Sequence, residues 1–176
     1  EGYIKFMQNL QITLKKEIFP ISLILILAFA RLIPHPPNFT PIIAVAIMSS
    51  YFFRNILLSC TVIIISMLLA DIFIGFYKNI FFVYLSLLLI TYIFSHINRK
   101  IKLKNLFIFG LLGSIIFFIL SNFGVWILSE MYEKNLNGLI NCYLLAVPFF
   151  VNTLLSTIIF SYAAFLTKCF YYKEFA

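Results

Sequence analysis

Long apolar runs separated by short polar breaks make up most of the chain between residues 18 and 166. A helix needs about 20 apolar residues to cross a bilayer. The runs occupy residues 18–32, 41–53, 56–76, 80–97, 106–128 and 139–166. Because 63% of the 176 residues are apolar and 11% are charged, a soluble fold of this size could not bury the apolar surface. We therefore expect an all-α integral membrane protein, a bundle of six transmembrane helices, and exclude a soluble enzyme, a disordered chain or a disulfide scaffold.

The basic residues predict the orientation of this bundle, because cytoplasmic loops are enriched in Lys and Arg. The membrane domain is predicted at 18–167, between an amino-terminal segment at 1–17 and a tail at 168–176. With both termini in the cytoplasm, Arg31, Lys78 and Lys134 lie outside. The other ten basic residues lie inside: Lys5, Lys15, Lys16, Arg54, Arg99, Lys100, Lys102, Lys104, Lys168 and Lys173. The net charge of +7 is thus attributed to membrane anchoring and not to nucleic-acid binding.

Motifs for catalysis or metal binding are missing from the sequence. Cys60, Cys142 and Cys169 are far apart and form no Cys-x-x-Cys pair, and His35 has no ligand-type neighbour at metal-binding spacing. There is no Gly-rich phosphate loop, Ser-His-Asp order or HExxH motif. We expect no metal, no cofactor and no enzymatic activity.

A proline-rich stretch at residues 34–41 follows the first apolar run and contains four prolines. Prolines prevent a regular helix and stiffen the segment, which lowers the cost of ordering a loop over a ligand. We interpret the stretch as a loop that covers the mouth of the bundle, with Arg31, His35 and Asn38 at its rim. The alternative is a rigid turn that only joins two helices.

Asp71 is the acidic residue within the apolar runs. It lies about 22 Å along the third predicted helix at 1.5 Å per residue, in the outer part of the bilayer. A carboxylate at that depth needs a partner or water. Arg31 is the partner of matching depth, so Asp71 either pairs with Arg31 to join two helices, binds a ligand, or does both.

Four further polar or aromatic residues are candidates for the binding site. Asn122 and Trp126 lie near the outer end of the fifth predicted helix; Trp126 is either an interface residue or a wall on which a flat ligand stacks. Asn141 and Asn152 are close to three turns apart on the sixth helix and share a face. A polar face in a membrane helix points to a partner helix or a cavity.

Small residues concentrate on the first two predicted helices, at Ala28, Ala30, Ala46 and Ser50. Ala46 and Ser50 have the spacing that allows helices to approach closely. This pattern serves either packing within the chain or docking of another membrane subunit.

Four stretches resemble an uncharacterised bacterial family regarded as transport proteins. They read RLIPHPPNFTP at 31–41, ADIFIGFY at 70–77, SNFGVW at 121–126 and GLINCYLLAVPFFVNTL at 138–154. That family is similar to the S components of energy-coupling factor vitamin transporters. The resemblance implies a six-helix protein of the bacterial cytoplasmic membrane that binds a vitamin or related micronutrient at its outer side. It also implies a membrane scaffold subunit and cytoplasmic ATPases as partners.

The sequence thus predicts a substrate-binding component for uptake of a small organic micronutrient. The expected ligand contacts are Arg31, His35, Asn38, Asp71, Asn122, Trp126, Asn141 and Asn152. Two alternatives remain: a structural or assembly protein without a small-molecule ligand, and a lipid-modifying enzyme in the membrane.

Overall fold

The computed structural model describes residues 18–53, 55–97 and 101–172. The amino-terminal segment predicted at 1–17 lies outside this part of the chain, as do Arg54, Arg99, Lys100 and Lys173 of the predicted cytoplasmic side.

Each predicted apolar run forms a helix, and the described residues include no strand. The first helix, α1, covers Ile18–Leu32 and ends in a 3-10 turn. The others are α2 at Ile42–Phe53, α3 at Ile56–Ile74, α4 at Ile80–Ile97, α5 at Leu106–Leu128 and α6 at Leu136–Tyr172.

Two helices differ from the sequence prediction by more than one residue at an end. Helix α3 ends at Ile74 and not at residue 76, because Gly75 has a φ of 98° that no helix accommodates. Helix α6 is longer than predicted at both ends and continues through Pro148. Its last turns therefore include the first residues of the segment predicted as a tail.

Helix α2 forms the centre of the bundle. It contacts α3, α4, α5 and α6, and every residue in it except Tyr51 and Phe52 is buried. A helix that is apolar on all sides is a buried helix. Its 12 residues correspond to about 18 Å, well short of a bilayer core of about 30 Å. The central helix is therefore shorter than α3, α4, α5 and α6, which pack around it.

The surface and the interior of the bundle are arranged as in a membrane protein. Large apolar side chains face outward, with Leu57, Phe73, Phe81 and Leu145 between 63% and 76% exposed. Small hydroxyl residues lie inside, among them Ser66, Ser86, Ser114, Ser156 and Ser161, all fully buried. Helices α3, α4, α5 and α6 are long and apolar enough to cross a membrane. Helix α2 and the described part of α1 are also apolar but shorter. A surface of large apolar side chains is suited to contact with lipid.

Hydroxyl groups join the neighbouring helices to α2. Thr91 of α4 donates to the carbonyl of Ala46 at 3.4 Å, and Ser59 of α3 donates to the carbonyl of Ser49 at 3.1 Å. Small side chains on α2 make these approaches possible.

Three of the four residues predicted to pack or dock are buried within this chain: Ala28, Ala46 and Ser50. Their burial favours packing within the bundle, and docking of a partner subunit stays a prediction. Ala30 is half-buried and keeps some exposed surface.

Gly124 lies where α5 packs closely against α4. A Cβ atom added there would lie 2.5 Å from the ring of Phe82, whereas one at Gly110 of the same helix would lie 3.3 Å from the nearest side chain. Gly124→Ala should lower the free energy of unfolding by about 1–3 kcal/mol, since an overpacked core forces its neighbours to shift.

Thermal unfolding in a lipid nanodisc measures this loss of stability. Gly110→Ala is the control, for which we expect a smaller loss. Equal stability of the two variants would contradict the packing of Phe82 on Gly124.

Candidate functional site

Three connections meet at one end of the bundle, which we call the loop end: residues 33–41, 75–79 and 129–135. Successive helices run in opposite directions, so alternate connections lie together. Residues of the first two loops line one cavity, and residues of the first and third line another. The sequence therefore places its most polar connections around shared space.

A buried ion pair lies beside this space. Nη1 of Arg31, at the end of α1, is 2.9 Å from Oδ1 of Asp71 on α3, and the two side chains are 9% and 0% exposed. This is the pair that matching depth predicted. Oδ1 receives no aligned hydrogen bond, so its contact with Arg31 is one of charge and proximity. The sulfur of Met67 accepts a hydrogen bond from the same Nη1 at 3.4 Å.

Two tyrosines complete the surroundings of the pair. The hydroxyl of Tyr84 on α4 donates to Oδ2 of Asp71 at 2.8 Å. Tyr77 lies in the loop after α3, where burial raises the pKa of its hydroxyl and the charge of Asp71 raises it further, against a smaller lowering by Arg31. Tyr77 therefore remains protonated near neutral pH and can donate a hydrogen bond. The ion pair with Arg31 and the hydrogen bond from Tyr84 hold Asp71, which is not among the residues that line the two cavities described below.

The first cavity, which we call the polar cavity, has a volume of about 270 Å³. Ile42 at the start of α2 contributes to it, together with Val83, Phe117 and Val125. The short central helix thus begins below the loop and leaves this space above it. Its polar lining comes from Arg31, Asn38, Thr40, Tyr77, Asn79, Ser121 and Asn122.

The second cavity, which we call the apolar cavity, has a volume of about 320 Å³ and lies between α5, α6 and two loops. Its lining includes Pro37, Val125, Met131, Leu145 and Phe149. A narrow space of about 10 Å³ lies against both regions. Asn38 and Asn122 line all three, so these two amides mark the junction between the cavities.

The two junction residues are held by different means. Asn38 has a φ of 60°, a left-handed conformation that asparagine tolerates better than most residues. Asn122 donates from Nδ2 to the carbonyl of Phe118 at 2.8 Å, one turn earlier in α5. Its Oδ1 is the atom left to accept a hydrogen bond from a ligand.

The proline-rich loop is anchored on α6. Nδ2 of Asn152 donates to the carbonyl of Pro37 at 3.0 Å, and the ring of Phe39 lies 6.1 Å from that of Phe160. Asn152 therefore holds the loop and does not line either cavity. At this end of α6, the predicted polar face therefore binds the proline-rich loop.

Three predicted site residues lie away from the cavities. His35 is exposed, with Nδ1 2.9 Å from the carbonyl of Pro36, and Asn141 is exposed on α6. Trp126 donates from Nε1 to the carbonyl of Glu133 at 3.0 Å, and Lys134 lies over its ring. Trp126 thus organises the loop between α5 and α6.

Several cavity residues were missed by sequence reasoning: Thr40, Tyr77, Asn79, Ser121 and Cys142. Tyr77 and Asn79 carried a usable signal, because they are the polar residues of a short loop on the same predicted side as Arg31. Cys142 was considered only for metal or redox chemistry. Among the described residues, no group of three His, Cys, Asp or Glu side chains could hold a metal ion.

The fold and the cavities define an α-helical bundle with a membrane-type surface and a polar pocket at one end. The chain belongs to DUF6580, a family of unknown function, whose match covers residues 12–175. No curated protein and no solved structure matches the chain.

Removing one member of the buried ion pair should destabilise the protein strongly. Asp71→Ala leaves the guanidinium of Arg31 buried without its counterion, and such a loss costs about 3–5 kcal/mol. Tyr84→Phe removes one hydrogen bond to Asp71 and should cost about 1–3 kcal/mol.

Thermal unfolding in nanodiscs ranks these variants. The double variant Arg31→Met, Asp71→Leu should recover most of the stability lost in Asp71→Ala, because it leaves no unpaired charge. Additive losses in the double variant would contradict the pairing.

The anchor between Asn152 and the loop predicts local opening. Asn152→Ala removes the hydrogen bond to Pro37 and should raise hydrogen exchange several-fold in a peptide that covers residues 33–40. Asn141→Ala, on the same helix but exposed, is the matched control. Equal exchange in both variants would show that Asn152 does not hold the loop.

Proposed function

We propose that the protein is the substrate-binding component of an uptake system for a small organic micronutrient, such as a vitamin or its precursor. The observation that carries the proposal is the pair of adjoining cavities under the proline-rich loop. Concave sites of about 300–1,000 Å³ with a few convergent polar groups are typical of small-molecule binding. The lining of the polar cavity combines one guanidinium, three amides and several hydroxyls within an apolar bundle.

The proposed orientation places the loop end outside the cell and both termini in the cytoplasm of a bacterium, with all six helices in the inner membrane. Arg31, Lys78 and Lys134 then belong to the outer side. Lys102, Lys104 and Lys168 belong to the opposite end, together with the basic residues outside the described ranges. The excess of basic residues on the inner side supports this arrangement.

The stiff loop at residues 33–41 would control access to the cavities in this proposal. Pro37 and Asn38 line the apolar cavity directly, and Asn152 holds the loop on α6. The loop lies above the buried start of α2. Release of the Asn152 contact would therefore let the loop move away from the apolar cavity while the helices stay in place. Delivery to the cytoplasm would involve the partners that the resemblance implies, a membrane scaffold and cytoplasmic ATPases.

The direct test is mass spectrometry of small molecules that copurify with the protein from bacterial membranes. Val125 lines both cavities, so Val125→Phe should obstruct them and abolish the copurifying molecule. Ile119→Phe is the matched control, because Ile119 lies on the same helix and is half exposed on the bundle surface.

Loss of the molecule in Val125→Phe alone would support the proposal. A wild-type protein without any specific small molecule, or equal recovery from both variants, would contradict it. The first of these results would favour a structural or assembly role.

A further inference from the structure

The two cavities at the loop end differ in chemistry although they adjoin. The polar cavity presents Arg31, Thr40, Tyr77 and Asn79, whereas none of the described residues that line the apolar cavity is charged. The apolar cavity instead presents Pro37, Val125, Met131, Leu145, Ala146 and Phe149, with Tyr132 and Cys142 as its further polar groups besides the amides at the junction. A single ligand that fills both must therefore have two chemically distinct parts.

The charges around the polar cavity favour an uncharged ligand. Within the described part of the chain, no carboxylate lines this cavity, so a buried cation would have no counterion from these residues. Arg31 is already neutralised by Asp71 at 2.9 Å, so an added anion would leave a net negative charge in a largely desolvated place. An uncharged carbonyl or hydroxyl can accept hydrogen bonds from Arg31 or Tyr77 without either cost.

The junction of the two cavities has the donors and acceptors that such a molecule needs. Asn38 lines both cavities, and its amide both donates and accepts. Asn122 donates one hydrogen of Nδ2 to the carbonyl of Phe118, and its Oδ1 can accept a hydrogen bond from a ligand. The junction therefore matches a polar linkage, such as an amide, between the two parts of the ligand.

We propose that the ligand is an uncharged two-part molecule, with a hydrogen-bonding head in the polar cavity and an apolar extension in the apolar cavity, joined between Asn38 and Asn122. This inference rests on the proposed binding function and specifies its ligand class. The individual volumes of about 270 and 320 Å³ give each part of the ligand room for a ring or a short chain.

Cys142 provides a reporter for occupation of the apolar cavity, because its side chain lines that cavity and no other described here. Replacement of Cys60 and Cys169 by alanine leaves Cys142 as the single thiol. The rate of its reaction with N-ethylmaleimide then reports on the apolar cavity, and thermal stability reports on binding at either cavity.

The experiment uses several sets of four probe molecules, and the protein is in nanodiscs. The four probes of a set share one aromatic ring, and the ring differs from set to set. One set contains 4-butylbenzamide, benzamide without the chain, the anion 4-butylbenzoate and the cation 4-butylbenzylammonium. The butyl amides should raise the melting temperature most and slow the labelling of Cys142. The amides without a chain should raise the melting temperature and leave the labelling rate unchanged.

Variants at the junction complete the test. Asn38→Gly keeps the left-handed backbone and removes the amide, and Asn122→Ala removes the acceptor. Each should weaken the binding of the butyl amides about three- to tenfold, the value of one hydrogen bond. The exposed Asn141→Ala should leave binding unchanged.

Stronger stabilisation by the charged probes would overturn the inference, and so would equal effects of amides with and without the chain. A lack of stabilisation by every uncharged set would also overturn it. These results differ from those that would contradict the proposed function. The proposed function fails only if no molecule, charged or uncharged, binds in a way that Val125→Phe blocks.

Discussion

The buried pair of Arg31 and Asp71 is the interaction on which the loop end depends. It joins the end of α1 to α3 at a separation of 2.9 Å, in a place where water does not reach the carboxylate. Charges in such a place are stable only with a close counterion and further polar contacts. Tyr84 and Met67 supply those contacts. The pair also places Arg31 in the wall of the polar cavity with its charge already balanced.

The length of α2 is the second constraint, and it produces the cavities. A buried helix of 12 residues ends within the bundle, while the helices around it continue. The loop at residues 33–41 then crosses above the space and is held by Asn152 on α6. The proline-rich loop and the start of the short central helix both border the polar cavity.

Much of the fold follows from the sequence, because apolar runs of this length have few alternatives in lipid. The same reasoning predicted Arg31 and Asp71 as partners, since both are charged at one depth. It assigned Asn122 and Asn38 to the site, and both line the cavities. It also assigned Trp126 and Asn141 to the site, although neither lines a cavity, because the sequence indicates the depth of a residue but not whether it faces the interior, a loop or lipid. Tyr77 and Asn79 were overlooked because a short loop between apolar runs was interpreted as a connection only.

An experimental structure of the protein in a lipid nanodisc, purified without added ligand from bacterial membranes, tests the central claim most directly. The account predicts density for one small molecule that occupies both cavities and passes between Asn38 and Asn122, with the loop at residues 33–41 closed above it. Cavities filled by the protein's own side chains, or by a lipid chain that enters from the bilayer, would contradict it.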